Sequence, residues 1–342
     1  MTNRNNTHRK TLKGWMVCSL VAAAALVLSG CSVLQGKKVY HIGLFSGHPY
    51  FSPAVDGFKS KMTELGYVEG DNVVYDFQES GVDFDAYRAI VEKFVADKVD
   101  LIFVFPTEAT LIAKEVTQGT NIPLVFDLAS TTIESMKIID SISQPGGNIT
   151  GVRYPDTEFA ARRLEILLEC APDVKRVFIP YLKDYPNVPA QMASAKQRAS
   201  ELGVTIVDFA TASPVDLQAE LDRQAGLGDA GIDAIMTLSE PVSITPDFFG
   251  LLGKYAYEHK LPVGGAMVTV GDYTSLFGLI PDPVDSGRLA AVLADKILKG
   301  TPAGTIPVAS PEGYLTFSLP AAQAMGITVP QGLLALANEV LR

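Results

Sequence analysis

The chain has 342 residues, 47% of them hydrophobic and 19% charged, with a formal net charge of −10. That length exceeds what one hydrophobic core usually holds and suits two domains of about 130 to 150 residues. The acidic balance argues against nucleic acid or anionic headgroups as partners, because a polyanion is repelled by a negative surface.

The first thirty residues read as a leader outside the fold. Arg4, Arg9, Lys10 and Lys13 precede an apolar run from Trp15 to Leu28. At about 14 residues the run is too short for a hydrocarbon layer of ~30 Å, but it suits the apolar stretch of an export signal. A short transmembrane anchor with an incidental Cys31 is the competing reading. Leu28-Ser29-Gly30-Cys31 resembles the bacterial lipoprotein cleavage box, which implies a mature chain beginning at a diacylglyceryl-linked Cys31. Two or more acyl chains make such an anchor effectively permanent. Taking the leader's four positive charges from −10 leaves roughly −14 on the mature chain.

Cys18 leaves with the leader and Cys31 carries lipid, so Cys170 is left without an intrachain disulfide partner. It follows Leu164, Leu167 and Leu168 on an apolar face and reads as a packed helical residue. His41, His48 and His259 stand in no metal-ligand spacing, and neither metal nor cofactor is expected.

From Lys38 to Thr150 short β-branched runs alternate with helical periodicity. Strands are expected at Val39–Leu44, Val73–Phe77, Leu101–Phe105 and Leu124–Phe126, and helices at Pro53–Leu65, Phe84–Ala96 and Ala109–Gln118. Continuous apolar strands separated by helices signify a parallel sheet covered on both faces. The programme restarts at Val174. Strands are expected at Arg176–Ile179, Thr205–Phe209, Ala234–Leu238 and Pro262–Gly264, and helices at Ala190–Leu202, Asp216–Gln224 and Phe248–His259.

Three landmarks repeat in order. Glu64-Leu65-Gly66 recurs as Glu201-Leu202-Gly203, Val99-Asp100 as Ile232-Asp233, and Ile122-Pro123 as Leu261-Pro262. Two similar α/β units are implied, although helix ends and strand starts attract Gly, Asp and Pro in any case. Gln144-Pro145-Gly146-Gly147-Asn148 is the strongest turn signal and marks the first crossing between the units. Past the second unit come a strand Leu276–Ile280, a turn Pro281-Asp282-Pro283, a helix Val284–Leu298, a strand Tyr314–Phe317 and two short helices. This tail is expected to shuttle back across the units and complete a hinge of several strands. The expected division is a leader at 1–30, a tether at 31–38, one lobe of 39–150 plus 281–306, and another of 151–280 plus 307–342.

Motifs for common enzyme chemistries are missing. Gly226-Leu227-Gly228-Asp229-Ala230-Gly231 spells G-x-G-x-x-G, but a helix precedes it and a strand follows, the reverse of the dinucleotide arrangement. The sequence has no Walker loop, H-E-x-x-H or G-x-S-x-G.

Ligands of open parallel sheets bind beyond the carboxyl ends of the strands. In the first unit those loops hold Ser46, His48, Tyr50 and Phe51, then Thr107 and Glu108, then Asp127 and Ser130. In the second they hold Tyr181, Tyr185 and Asn187, then Ser239 and Glu240, then Met267. Arg153, Tyr154 and Asp282 lie at the crossings. The set is polar and aromatic and suits ligand binding without catalysis. Cap or surface duty is the competing role for each residue singly.

Four stretches carry a wider resemblance: Glu64 to Val73, Lys98 to Ile102, Pro145 to Val152, and Ala321 to Pro330. Through them the chain, from about Tyr40 to Leu341, resembles the ABC-transporter substrate-binding lipoproteins of the tryptophan-binding-protein-like family. The resemblance implies a type I periplasmic-binding-protein fold. Such a fold is α/β, with two Rossmann-like lobes, each a parallel sheet flanked by helices, closing on a ligand across a multi-strand hinge. It implies a lipid-anchored, extracytoplasmic monomer that delivers a small molecule to an ABC permease and is not an enzyme. A sensory receptor of the same fold and a surface hydrolase are the alternatives. Pro180-Tyr181-Leu182-Lys183-Asp184-Tyr185-Pro186 departs from the Tyr-Asn-Pro turn frequent there, so the ligand transfers less well than the fold.

The expected ligand is a zwitterion with an apolar side chain, an amino acid or close relative. Arg153 would fork onto its carboxylate, or else pair with Glu158 and never meet it. Asp127, Glu240 and Asp282 are candidates for the ammonium group, and Tyr50, Phe51, Tyr154 and Tyr181 for covering the side chain.

Overall fold

The computed structural model describes residues 38–81, 83–131, 137–227 and 231–342. The leader, Cys31 and the centre of the Gly226–Gly231 segment lie outside them.

The first lobe is a five-stranded parallel sheet of order β2-β1-β3-β4-β5. In chain order it comprises β1 (Tyr40–Ser46), α1 (Pro53–Glu64), β2 (Val73–Glu79), α2 (Phe84–Ala96), β3 (Leu101–Phe105), α3 (Thr107–Val116), β4 (Leu124–Ser130) and β5 (Ile149–Tyr154). The unbroken apolar run of β3 is buried at every position because both faces are covered. Leu101, Phe103 and Phe105 pack against Phe58 and Met62 of α1 on one face. Ile102 and Val104 point the other way, towards Phe94 of α2 and Ala113 of α3.

The second lobe repeats the plan in a four-stranded parallel sheet of order β7-β6-β8-β9. It holds α4 (Asp156–Cys170), β6 (Arg176–Leu182), α5 (Val188–Leu202), β7 (Thr205–Thr211), α6 (Pro214–Ala225), β8 (Ala234–Met236), α7 (Pro241–Ile244), α8 (Pro246–His259) and β9 (Val263–Gly264). The repeated landmarks occupy equivalent positions. The Asp100 carboxylate accepts from the His41 amide at 2.8 Å and that of Asp233 from the Arg176 amide at 2.8 Å, each fixing the start of its lobe's first strand. The Pro123 and Pro262 carbonyls accept from Ile102 and Ile235, the neighbouring strand in each lobe. Gly66 and Gly203 both turn the chain after a helix at positive φ, 95° and 71°.

A short hairpin of β10 (Thr269–Val270) and β11 (Tyr273–Thr274) precedes β12 (Phe277–Ile280). Helix α9 (Pro283–Leu298) then returns to the first lobe and lies on α1. The two helices approach through glycines: a Cβ on Gly57 would sit 1.9 Å from the Val284 carbonyl oxygen, and one on Gly287 2.0 Å from that of Ala54. The chain closes with β13 (Tyr314–Ser318), α10 (Leu319–Ala324), α11 (Gln331–Leu336) and an unexpected strand, β14 (Glu339–Leu341), which pairs parallel with β13.

The boundaries differ from the expected division in two places. The glycine turn at Gly146-Gly147 leads into β5, not out of the lobe, and β5 pairs with β4 as far as Tyr154. The first crossing therefore follows Tyr154. On the return, Ala309 still bridges to Val152 of the first lobe, so the last crossing falls between Ala309 and β13. β4 also runs beyond Phe126 to Ser130 through an irregularity that holds Leu128 at φ 50°. Among the described residues no helix is long and apolar enough to cross a membrane.

Candidate ligand site between the lobes

The carboxyl ends of β1, β3, β4 and β5 face those of the second sheet across a cavity of about 310 Å³. Small-molecule sites span ~300–1,000 Å³, so this one suits a small ligand.

The first-lobe wall is built by a tight turn after β1. The Ser46 hydroxyl donates to the His48 carbonyl at 3.0 Å, and His48 Nδ1 accepts from the Tyr50 amide at 3.1 Å. An Nδ1 that accepts is unprotonated, and burial lowers the imidazole pKa in keeping with this. The turn presents Tyr50 and Phe51, whose rings meet edge to face at 5.0 Å. Behind them Tyr87 donates to the Gly47 carbonyl, and a Cβ on Gly47 would lie 2.9 Å from the Tyr87 ring, so only glycine fits. Burial raises the phenols of Tyr50 and Tyr87, each to about 12, which keeps both neutral.

The second-lobe wall is the loop after β8. Asn187 and Gln191 of the α5 start hold the Ser239 backbone, by Asn187 Nδ2 to its carbonyl at 2.9 Å and its amide to Gln191 Oε1 at 3.0 Å. The Glu240 carboxylate accepts from the Leu182 and Val242 amides at 3.1 Å each. Burial nonetheless raises its pKa to about 7.

At the hinge end Arg163, 0% exposed, reaches from α4 to three elements. Its Nε and Nη2 donate to the Leu279 carbonyl at 3.0 and 2.7 Å. Nη2 also donates to the Ser239 hydroxyl at 2.7 Å and to the Tyr154 hydroxyl at 3.2 Å, and those two oxygens are 2.7 Å apart. Asp156, 1% exposed, lines the cavity beside them and accepts from the Ser130 hydroxyl. Burial raises its pKa to about 6, against the opposing pull of the Ser130 hydrogen bond and the Arg163 charge. Farther from the hinge end, Tyr185 also bridges the cleft, donating to Glu108 Oε1 at 3.0 Å.

Of the residues singled out from sequence, His48, Tyr50, Phe51, Thr107, Glu108, Ser130, Tyr154, Tyr185, Asn187, Ser239, Glu240 and Met267 line the cavity. Five lie elsewhere. Ser46 is buried beneath the His48 turn. Asp127 is fully buried, accepting from Ser286 of α9 and from the Leu128 amide, so it fastens β4 to α9. Arg153 takes the alternative role, pairing with Glu158 and with Ser310. Tyr181 donates to Asp208 at 3.3 Å on the sheet edge. Asp282 caps α9 through the Asp285 amide at 2.9 Å. Sequence reasoning missed Asp156, Leu128, Phe84 and Tyr87 on the wall and Arg163 beneath it. The signal for the α4 pair was present: Asp156 and Arg163 fall on the apolar face shared with Ala160, Leu167 and Cys170. Cys170 itself is buried and free, its thiol pushed up to about 12 by burial.

Among the described residues no His, Cys, Asp and Glu cluster suits a metal. The family model described as ABC transporter substrate binding protein matches residues 40–341. A tyrosine-binding protein of Clostridioides difficile is 26% identical over 324 residues, which cover 87% of this chain and 88% of that one. Two solved structures are each 23% identical with a TM-score of 0.74. One, the ABC domain in complex with L-Trp from Streptococcus pneumonia, aligns over 89% of this chain and 100% of its own. The other, a ligand-free, open substrate-binding protein with adhesive properties from Clostridium difficile, aligns over 89% and 99%. The shared fold is the type I periplasmic-binding-protein fold.

Proposed function

We propose that this chain, which belongs to the ABC transporter substrate-binding protein family, captures an amino acid or related zwitterion with an apolar, preferably aromatic, side chain. Membership makes it a solute-binding protein and not an enzyme. The observation that carries the ligand class is the composition of the cavity. Tyr50, Phe51, Phe84 and Tyr87 supply an aromatic wall, while Asp156, Tyr154 and Ser239 gather polar groups at the hinge end. A ligand with one polar head and one flat apolar body matches both ends. The tyrosine-binding relative and the L-Trp complex support the same class.

Glu108 and Tyr185 face each other across the cleft, so closure of the lobes buries the ligand and presents a surface found only in the occupied state. That state is the one read by the permease, to which the protein delivers its solute. Cys31 carries the lipid that holds it to the outer face of a bacterial membrane, and the chain acts there as a monomer. Support for the anchor is the Leu28–Cys31 box behind its apolar run. Calorimetry on the ligand-stripped domain, with the twenty amino acids beside sugars and nucleosides, tests the ligand class. Binding confined to sugars or nucleosides would overturn it.

A further inference from the structure

The geometry points to Asp156 as the anchor for the ligand's cationic nitrogen, in a site that selects the amine of the solute more strongly than its carboxylate. The inference rests on the amino-acid reading above and adds which end of the ligand is discriminated, and by what.

Three observations carry it. Asp156 is 1% exposed and lines the cavity, yet its Oδ1 has no hydrogen-bond partner, while Oδ2 is held by Ser130. A buried carboxylate oxygen without a partner costs free energy unless a donor arrives from outside the chain. A position in the first turn of α4 explains why an acid is tolerated there, but the exposed Glu158 of the same turn meets that preference without burial. The second observation is charge. Among the described residues Glu108, Asp156 and Glu240 line the cavity, and no Lys or Arg does. Among the described residues the cation at its edge is Arg163, whose Nη2 donates to the Tyr154 and Ser239 hydroxyls that stand between it and the cavity, while its Nη1 is buried without a partner.

The third observation concerns the other end of the ligand. Both hydroxyl oxygens accept from Arg163, and with 2.7 Å between them one hydroxyl donates to the other. A single O–H proton therefore remains, on whichever oxygen accepts twice, polarised by the guanidinium and free to point into the cavity. A ligand carboxylate meets this neutral donor, whereas the ammonium group meets a formal opposite charge. Both contacts have an ionised partner, but only the ammonium–Asp156 contact has two, so that the Coulomb attraction of a buried ion pair adds to its hydrogen bond.

The test is a series of ligands on the wild-type protein, read by calorimetry: L-tyrosine, its decarboxylated amine tyramine, its deaminated acid 3-(4-hydroxyphenyl)propanoate, and the matching set built on L-tryptophan. Loss of the amine is expected to weaken binding at least about tenfold more than loss of the carboxylate. Asp156→Asn, which keeps an oxygen for Ser130, is expected to weaken the amino acid and the amine by about tenfold or more and to leave the deaminated acid unchanged or tighter. If the deaminated acid binds as well as its parent, or if the variant leaves amine binding unaltered at wild-type melting temperature, the assignment falls and the amino-acid reading stands. If neither amino acid binds, both fall. Should Asp156→Asn fail to fold, the ligand series on the wild-type protein still decides the matter.

Discussion

Tyr185→Phe removes one hydroxyl and, with it, the hydrogen bond to Glu108 that joins the lobes across the cleft. In the separated lobes both groups are hydrated, so the loss falls on the closed state alone. A hydrogen bond to a charged acceptor contributes about 1.5–3 kcal/mol, and partial exposure places this one near the lower end. About 1.4 kcal/mol is a factor of ten in an equilibrium constant. Because affinity scales with the fraction of molecules able to close, ligand binding is expected to weaken about tenfold. The melting temperature of ligand-free protein is expected to change by less than ~3 °C, since each lobe keeps its own core. Calorimetry with L-tyrosine or L-tryptophan gives the affinity, and small-angle scattering with and without ligand gives the compaction. Unchanged affinity in Tyr185→Phe, together with identical scattering in the two states, would refute closure as the source of binding energy.

Gly57→Ala would place a methyl 1.9 Å from the Val284 carbonyl oxygen, where real contacts stay beyond about 3.0 Å, so α9 must lift by about 1 Å from α1. Overpacking of this kind costs about 3 kcal/mol, a fall of ~6–12 °C in melting temperature, and a fall of under ~2 °C by calorimetry would count against the helix contact. Burial raises the Asp127 carboxyl to about 8. The folded protein therefore keeps a proton that the unfolded chain releases at ordinary carboxylate pH, and stability declines as pH rises from that range to about 8, then levels. Asp127→Asn is neutral in both states, so its denaturation midpoint should fall less steeply over that window; parallel curves for the two proteins would contradict the argument. Cys31→Ala should abolish labelling by a radioactive or clickable fatty acid and release the protein from membranes, and persistent labelling would place the lipid elsewhere.

Periodicity made most of the architecture legible. The helix Phe84–Ala96 and the strand Leu101–Phe105 were bounded correctly from sequence, because an amphipathic face with an Asp83 cap and an all-apolar run are local properties. β14 escaped because three residues of mixed polarity carry no period, and the chain end forms a strand only because β13 offers an edge. The rule that ligands gather beyond strand ends found twelve of the cavity residues. It also drew in Asp127, which stands in a strand that a bulge carries further than its apolar run, and Arg153, whose charge Glu158 takes up close by.

The parallel character of the sheets and the repeated α/β plan are legible in the sequence alone, since each rests on composition, spacing or a repeated local rule. Which residues face the cavity was decided only by tertiary structure. Asp156 and Arg163 occupy core-facing positions on α4, and in a helix covered on that side they would have been buried errors. They find polar partners because the assembled lobes bring Ser130, Tyr154, Ser239 and Leu279, distant in sequence, within hydrogen-bonding range of them. Burial, which strengthens every electrostatic contact there, is a property of the assembled lobes and not of any segment.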